Sequence, residues 1–158
     1  MIFTASMPEK PTPAFDLSAF LPYRLASVSG RISRAFAARY RDDFGISITE
    51  WRVLAHLSQE TAVSVRDIHL RVDVEKSKVS RAASRLEAAG LITKVMNDTD
   101  RRLVALSLSP AGQGLMARLV PVALSFEADL ERQLGALAGD FAVGLTALEG
   151  VRRDGSLR

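Results

Sequence analysis

The sequence predicts a mainly α-helical domain carrying one small β-hairpin, and three observations predict it. Apolar residues recur every three or four positions over most of the 158 residues, the spacing that gathers them on one side of a helix. The rhythm changes once, between residues 91 and 108, where two short β-prone runs flank a polar stretch rich in Asn and Asp. Residues that start and stop helices fall between the periodic segments. The length suits a single domain with a real core.

Taken in order, residues 1–15 carry Pro8, Pro11 and Pro13, which prevent a helix and leave an extended arm. Phe20, Leu21, Leu25, Val28, Ile32 and Phe36 then recur at helical spacing, with Arg24, Arg31, Arg34 and Arg39 mostly between them. This predicts a long amphipathic helix with Asp16 or Ser18 as its cap and Gly45 as its C-cap. Thr49 is expected to cap a second helix, whose apolar side is Trp51, Leu54, Ala55 and Leu57, and Thr61-Ala62-Val63 suits a short strand. Ser64 is the expected cap of a short third helix with Val65, Ile68 and Val72 inward. Asp73-Val74-Glu75 then turns tightly into a fourth helix, from about Lys76 to Ala89, stopped by Gly90. Its buried stripe is Val79, Ala82, Ala83 and Leu86, and its other side shows Ser77, Lys78, Ser80, Arg81, Ser84 and Arg85.

Leu91–Val95 and Leu103–Leu108 read as the strands of the hairpin, joined by a turn over residues 97–102, where Asn and Asp side chains favour turning. Ser109-Pro110 places a cap and a first-turn proline at the start of a fifth helix. Leu115, Leu119, Val122, Phe126, Leu130 and Leu134 form its stripe, and Pro121 is a candidate kink. A last helix after Gly139 carries Phe141, Leu145 and Leu148, and residues 151–158 form a flexible tail.

Composition removes whole classes of chemistry. The chain has no cysteine, which excludes disulfides, thiolate metal sites and thiol nucleophiles. His56 and His69 have no metal-ligand spacing around them, so no metal site and no cofactor is expected. Neither a signal peptide nor a membrane-length apolar run is visible, so the expected location is cytoplasmic, away from any membrane. No catalytic constellation is found, and an enzyme is not expected.

Two helices joined by a tight turn, followed by a polar-tipped hairpin, are the order of a winged helix-turn-helix. Such a fold needs a second helix with one buried face and one polar, cationic face, because that helix fits the major groove of B-DNA. Residues 76–89 have both faces. Arg101 and Arg102, beside Asp98 and Asp100, suit a wing tip that enters a minor groove. Between residues 66 and 102 there are nine basic and six acidic residues, a surplus of +3 that equals the net charge of the whole chain. The basic surplus therefore sits in this region. Taken alone, such a face reads equally as a solvated surface, and winged domains also bind proteins instead of DNA. An interaction helix would expose apolar or acidic residues there, and this one shows Ser, Lys and Arg.

The run Gly45-Ile46-Ser47-Ile48-Thr49-Glu50-Trp51-Arg52-Val53-Leu54 resembles the signature of the multiple-antibiotic-resistance regulator (MarR) family. Lys78-Val79-Ser80-Arg81, then Arg85-Leu86-Glu87 and Gly90-Leu91-Ile92, resemble its recognition helix and the exit into its wing. Residues 97–102 and Leu106-Ser107-Leu108-Ser109-Pro110-Ala111-Gly112 resemble the wing and the return to a helix. The likeness runs over about residues 16–150. It implies a homodimeric, sequence-specific repressor of transcription on a pseudo-palindromic double-stranded DNA site. The winged lobe would be about 46–108, and the dimerisation helices 16–45 and 109–150. By position, Ser64, Ser77, Lys78, Ser80, Arg81 and Arg85 would face DNA, with Arg101 or Arg102 at the wing and Asp100 orienting it. Asn97-Asp98 departs from the Asp-Pro of relatives. The resemblance also implies release by a small aromatic or anionic effector, for which Phe20, Tyr23, Arg24, Trp51 and His56 are the candidate lining residues. The alternative readings are core packing for Trp51, a satisfied, half-buried histidine for His56 and an acidic ion-pair partner for Arg24.

Overall fold

Capping residues set several of the element boundaries in the computed structural model, which describes residues 15–60, 63–72, 74–96 and 104–151. All of the expected arm but Phe15, the wing tip and most of the tail therefore lie outside the described residues. Helix α1 (Leu21–Phe44) ends where Gly45 adopts φ +65°, a left-handed conformation that glycine takes without a Cβ penalty, and its N–H reaches the Arg41 carbonyl. Its start differs from the expectation. Asp16 and Ser18 do not cap the helix; they bond to each other in a preceding turn, and Phe20 takes the cap position ahead of Pro22.

Helix α2 (Ile48–Gln59) is capped two residues earlier than expected. Ser47, not Thr49, is the N-cap, and Ser47 and Glu50 form a reciprocal capping box. Strand β1 (Val63–Ser64) leads directly into α3 (Val65–Val72). Ser64 caps that helix as expected: its hydroxyl accepts the Asp67 N–H at 3.0 Å and donates to the Asp67 carboxylate at 2.6 Å. Helix α4 (Lys76–Ala88) has the expected buried stripe of Val79, Ala82, Ala83 and Leu86. On α3, Ile68 and Val72 are buried, while the Val65 side chain lies outside the described ones.

Strands β2 (Ile92–Met96) and β3 (Val104–Leu108) pair antiparallel from Ile92↔Leu108 to Met96↔Val104. Strand β1 adds to the other edge of β3, giving the order β1-β3-β2. Val63, Ile92 and Leu106 turn into the core, whereas Thr93 and Ser107 face out and share a hydroxyl hydrogen bond, the alternation that a half-buried sheet requires.

Helix α5 (Pro110–Leu134) runs unbroken through Pro121. It ends at Gly135, where a short 3-10 turn (Gly135–Leu137) passes into α6 (Ala138–Leu148). The break thus falls at Gly135, and Gly139 lies inside the last helix. The core joins Tyr40, Leu54, Ile68, Leu86, Leu106 and Leu119 from α1 to α5. Nothing in α6 is buried. No described helix is long and apolar enough to cross a membrane.

Candidate nucleic-acid interface

Helix α4 is held from inside by α2 and α3, so its inner stripe is closed and its outer face is free. Ser77, Lys78, Ser80, Arg81, Ser84 and Arg85 are all exposed on that face. Lys78 lies 3.4 Å from Glu75, an exposed pair one turn apart that contributes little and leaves the ammonium available. Arg81 forms no ion pair with any described residue. Ser64 sits at the junction of β1 and α3, and its hydroxyl is already committed to the α3 cap.

Arg85 is different. Its Nε donates to Oε1 of Glu50 at 2.7 Å, linking α4 to the first turn of α2. The other carboxylate oxygen of Glu50 accepts the Ser47 N–H, also at 2.7 Å. Burial pushes the Glu50 carboxyl up, but hydrogen bonds from Arg85 and Ser47 outweigh that, and the net shift is downward. Glu50 is therefore a buried carboxylate that stays charged.

At the wing, Lys94 of β2 pairs with Glu87 of α4 at 2.5 Å, tying the base of the hairpin to the end of the helix. Asp100, Arg101 and Arg102 lie outside the described residues, as does the Asn97-Asp98 departure. The far side of the hairpin is anchored by Ser109, whose hydroxyl donates to the Gly90 carbonyl at 2.6 Å and accepts the Gly112 N–H at 3.0 Å. One side chain thus joins the exit of α4 to the entry of α5. Gly112 is required there, because a Cβ would run into the Leu91 carbonyl.

The candidate effector residues divide into two places. Trp51 and His56, with Arg52, Ala55, Arg71 and Val72, line a cleft of about 260 Å³. Trp51 also packs edge-on against Phe36, ring centroids 5.2 Å apart. Phe20, Tyr23 and Arg24 lie exposed at the start of α1, where Phe20 meets Phe15. They do not line that cleft within one chain. Among the described residues no cluster of acidic residues and histidines is arranged to hold a metal ion.

The three-stranded sheet, the α3–α4 pair and the long flanking helices have a counterpart over nearly the whole of a solved relative. The chain is 30% identical to the MarR family transcriptional regulator SPO1453 from Silicibacter pomeroyi DSS-3, covering 86% of this chain and 98% of that one, with a TM-score of 0.73. The chain belongs to the MarR family. The family model itself, that of the MarR family, matches residues 44–103, from the end of α1 to the approach to β3. Over 68 residues the chain is 37% identical to the HTH-type transcriptional repressor MdtR of Bacillus subtilis (strain 168), a stretch covering 43% of this chain but only 44% of MdtR. The fold is also that of BpsR from Bordetella bronchiseptica, a protein whose DNA binding is regulated by 6-hydroxynicotinic acid. That match has a TM-score of 0.73 at 22% identity, covering 84% of this chain and 94% of BpsR.

Within this MarR-family chain, sequence reasoning overlooked Ser47 and Glu50 as a pair. The signal was present: Ser47-x-x-Glu50 is the spacing of a capping box, and the neighbouring Thr49 drew the cap assignment away from it. The partnership of Glu50 with Arg85, 35 residues along the chain, had no local signal. Arg39, which reaches from α1 to Asp129 of α5 at 2.5 Å, was likewise invisible to periodicity.

Proposed function

We propose that this chain is a homodimeric, sequence-specific DNA-binding regulator that represses transcription from a pseudo-palindromic operator. The observation that carries the reading is the division of α4 into a closed inner stripe and an outer face of Ser77, Lys78, Ser80, Arg81 and Arg85. Arginine bonds guanine through two parallel N–H groups, and Ser or Lys bonds bases or phosphates. The wing, through Arg101 or Arg102 oriented by Asp100, adds a minor-groove contact beside the helix.

In this reading the winged lobe spans about 46–108, and 16–45 with 109–150 form the dimer. Exposed apolar side chains on the flanking helices support that division: Leu21, Leu124, Phe141, Val143 and Leu145 all lie at the surface of the single chain. A groove of about 930 Å³ between α1, α5 and α6 is lined by Val28, Ile32, Leu130, Phe141 and Leu145. A symmetric partner buries such surfaces and spaces two recognition helices for two half-sites. Release by a small aromatic or anionic effector completes the proposal, with Trp51 and His56 on one wall and Phe20, Tyr23 and Arg24 available from α1.

The test is selection of bound duplexes from a random pool, followed by affinity against salt. Enrichment of a two-fold symmetric site, with affinity falling steeply as salt rises, supports the reading. Weak binding at low salt with no enriched site would overturn it.

A further inference from the structure

We propose that Glu50 is a positioning residue for DNA recognition, holding Arg85 by its Nε so that the rest of the guanidinium is presented outward from α4. The proposal rests on the DNA-binding reading and names a residue that never needs to touch DNA.

An exposed arginine samples many rotamers, and ordering it on binding costs affinity. Arginine carries five N–H donors in a rigid plane, so holding Nε–H fixes that plane and leaves the Nη–H groups at its end for a second partner. Glu50 supplies the fixed side. Its Oε1 takes Arg85 at 2.7 Å, its Oε2 takes the Ser47 N–H at 2.7 Å, and its own N–H bonds the Ser47 hydroxyl at 3.3 Å. The pair is also asymmetric: the Glu50 side chain is 10% exposed and that of Arg85 is 59% exposed. One end is anchored in the protein and the other stands in solvent. Among the described residues Lys78 pairs with the exposed Glu75, just ahead of α4, and Arg81 has no ion pair. Arg85 is thus the cation of this face with a buried anchor on another helix.

A carboxylate beside a DNA-binding face should, through charge alone, weaken binding to every sequence. Positioning predicts the opposite sign for the correct sequence, and this decides the experiment. The 158-residue chain, first used to select its preferred duplex, is compared with Glu50→Gln, Arg85→Ala, the double variant and Ser47→Ala on that duplex and on a scrambled one.

Glu50→Gln is expected to lose roughly tenfold in affinity for the preferred duplex and to keep or gain affinity for the scrambled one. The double variant should be no weaker than Arg85→Ala alone, since both changes remove one contact. Ser47→Ala should lower the melting temperature and leave the ratio between the two duplexes unchanged. Equal tightening on both duplexes, or losses that multiply in the double variant, would overturn the proposal. So would a lost preference in Ser47→Ala, because the cap alone would then explain the effect. Arg85→Ala, at an exposed helix position, carries the test if Glu50→Gln does not fold: a preference unchanged in that variant also overturns it. Failure of the parent chain to select any duplex is a separate result, seen before any variant is made, and it removes the underlying reading together with the proposal.

Discussion

Burial pushes the Glu50 carboxyl up and its hydrogen bonds from Arg85 and Ser47 bring it below the ordinary value of 4.5. A carboxylate depressed in the folded state adds stability that is present above the unfolded pKa and is lost as pH falls through the folded one. The chain should therefore lose stability as pH drops below about 4.5, and Glu50→Gln should lack part of that loss. Asp16 and Asp129 are also shifted down, the first by Ser18 and the second by Arg39, so the comparison between variant and parent isolates Glu50. Denaturant unfolding over a pH series measures it, and parallel curves would refute the assignment. Gly112 makes a second residue-scale case. Adding a methyl group drives it into the backbone of Leu91, which cannot move aside cheaply. Gly112→Ala is expected to cost about 3 kcal/mol, at the upper end for overpacking; an unchanged melting temperature would show that the joint has slack.

At the scale of the element, α4 was the most legible part of the sequence. Val79, Ala82, Ala83 and Leu86 repeat at helical spacing, and small residues let the helix approach α2 and α3 closely, so period and packing agree. Arg81→Ala should weaken specific binding and flatten preference at one base position by roughly 1–3 kcal/mol. Equal affinity of variant and parent for all sequences would mean that Arg81 reads nothing. Element starts were less legible. Thr49, Asp16 and Ser18 are all good cap residues by type, but a cap is chosen by which side chain faces the free N–H groups, and only the chain path decides that. The same holds at the C-terminal end. Gly135 and Gly139 are both plausible breaks, and Gly135 takes the positive φ. Links between elements, such as Glu50 with Arg85 and Arg39 with Asp129, depend on three-dimensional approach and left no periodic trace.

For the whole molecule, the outward apolar faces of α1, α5 and α6 carry the prediction. Replacing both Phe141 and Leu145 by Glu should halve the mass seen by sedimentation at micromolar concentration and abolish binding to a full symmetric site. Sedimentation of the parent as a monomer would remove the dimer from the reading. The winged lobe and the flanking helices meet at Ser109, which grips the end of α4 through Gly90 and the start of α5 through Gly112. Helix α5 has 25 residues, so it is about 37 Å long at the usual rise per residue. Ser109 fixes its first turn, Met116 and Leu119 bury it in the core, and Asp129 ties it to α1 through Arg39, so the helix is a splint that keeps the winged lobe and the flanking helices in one frame.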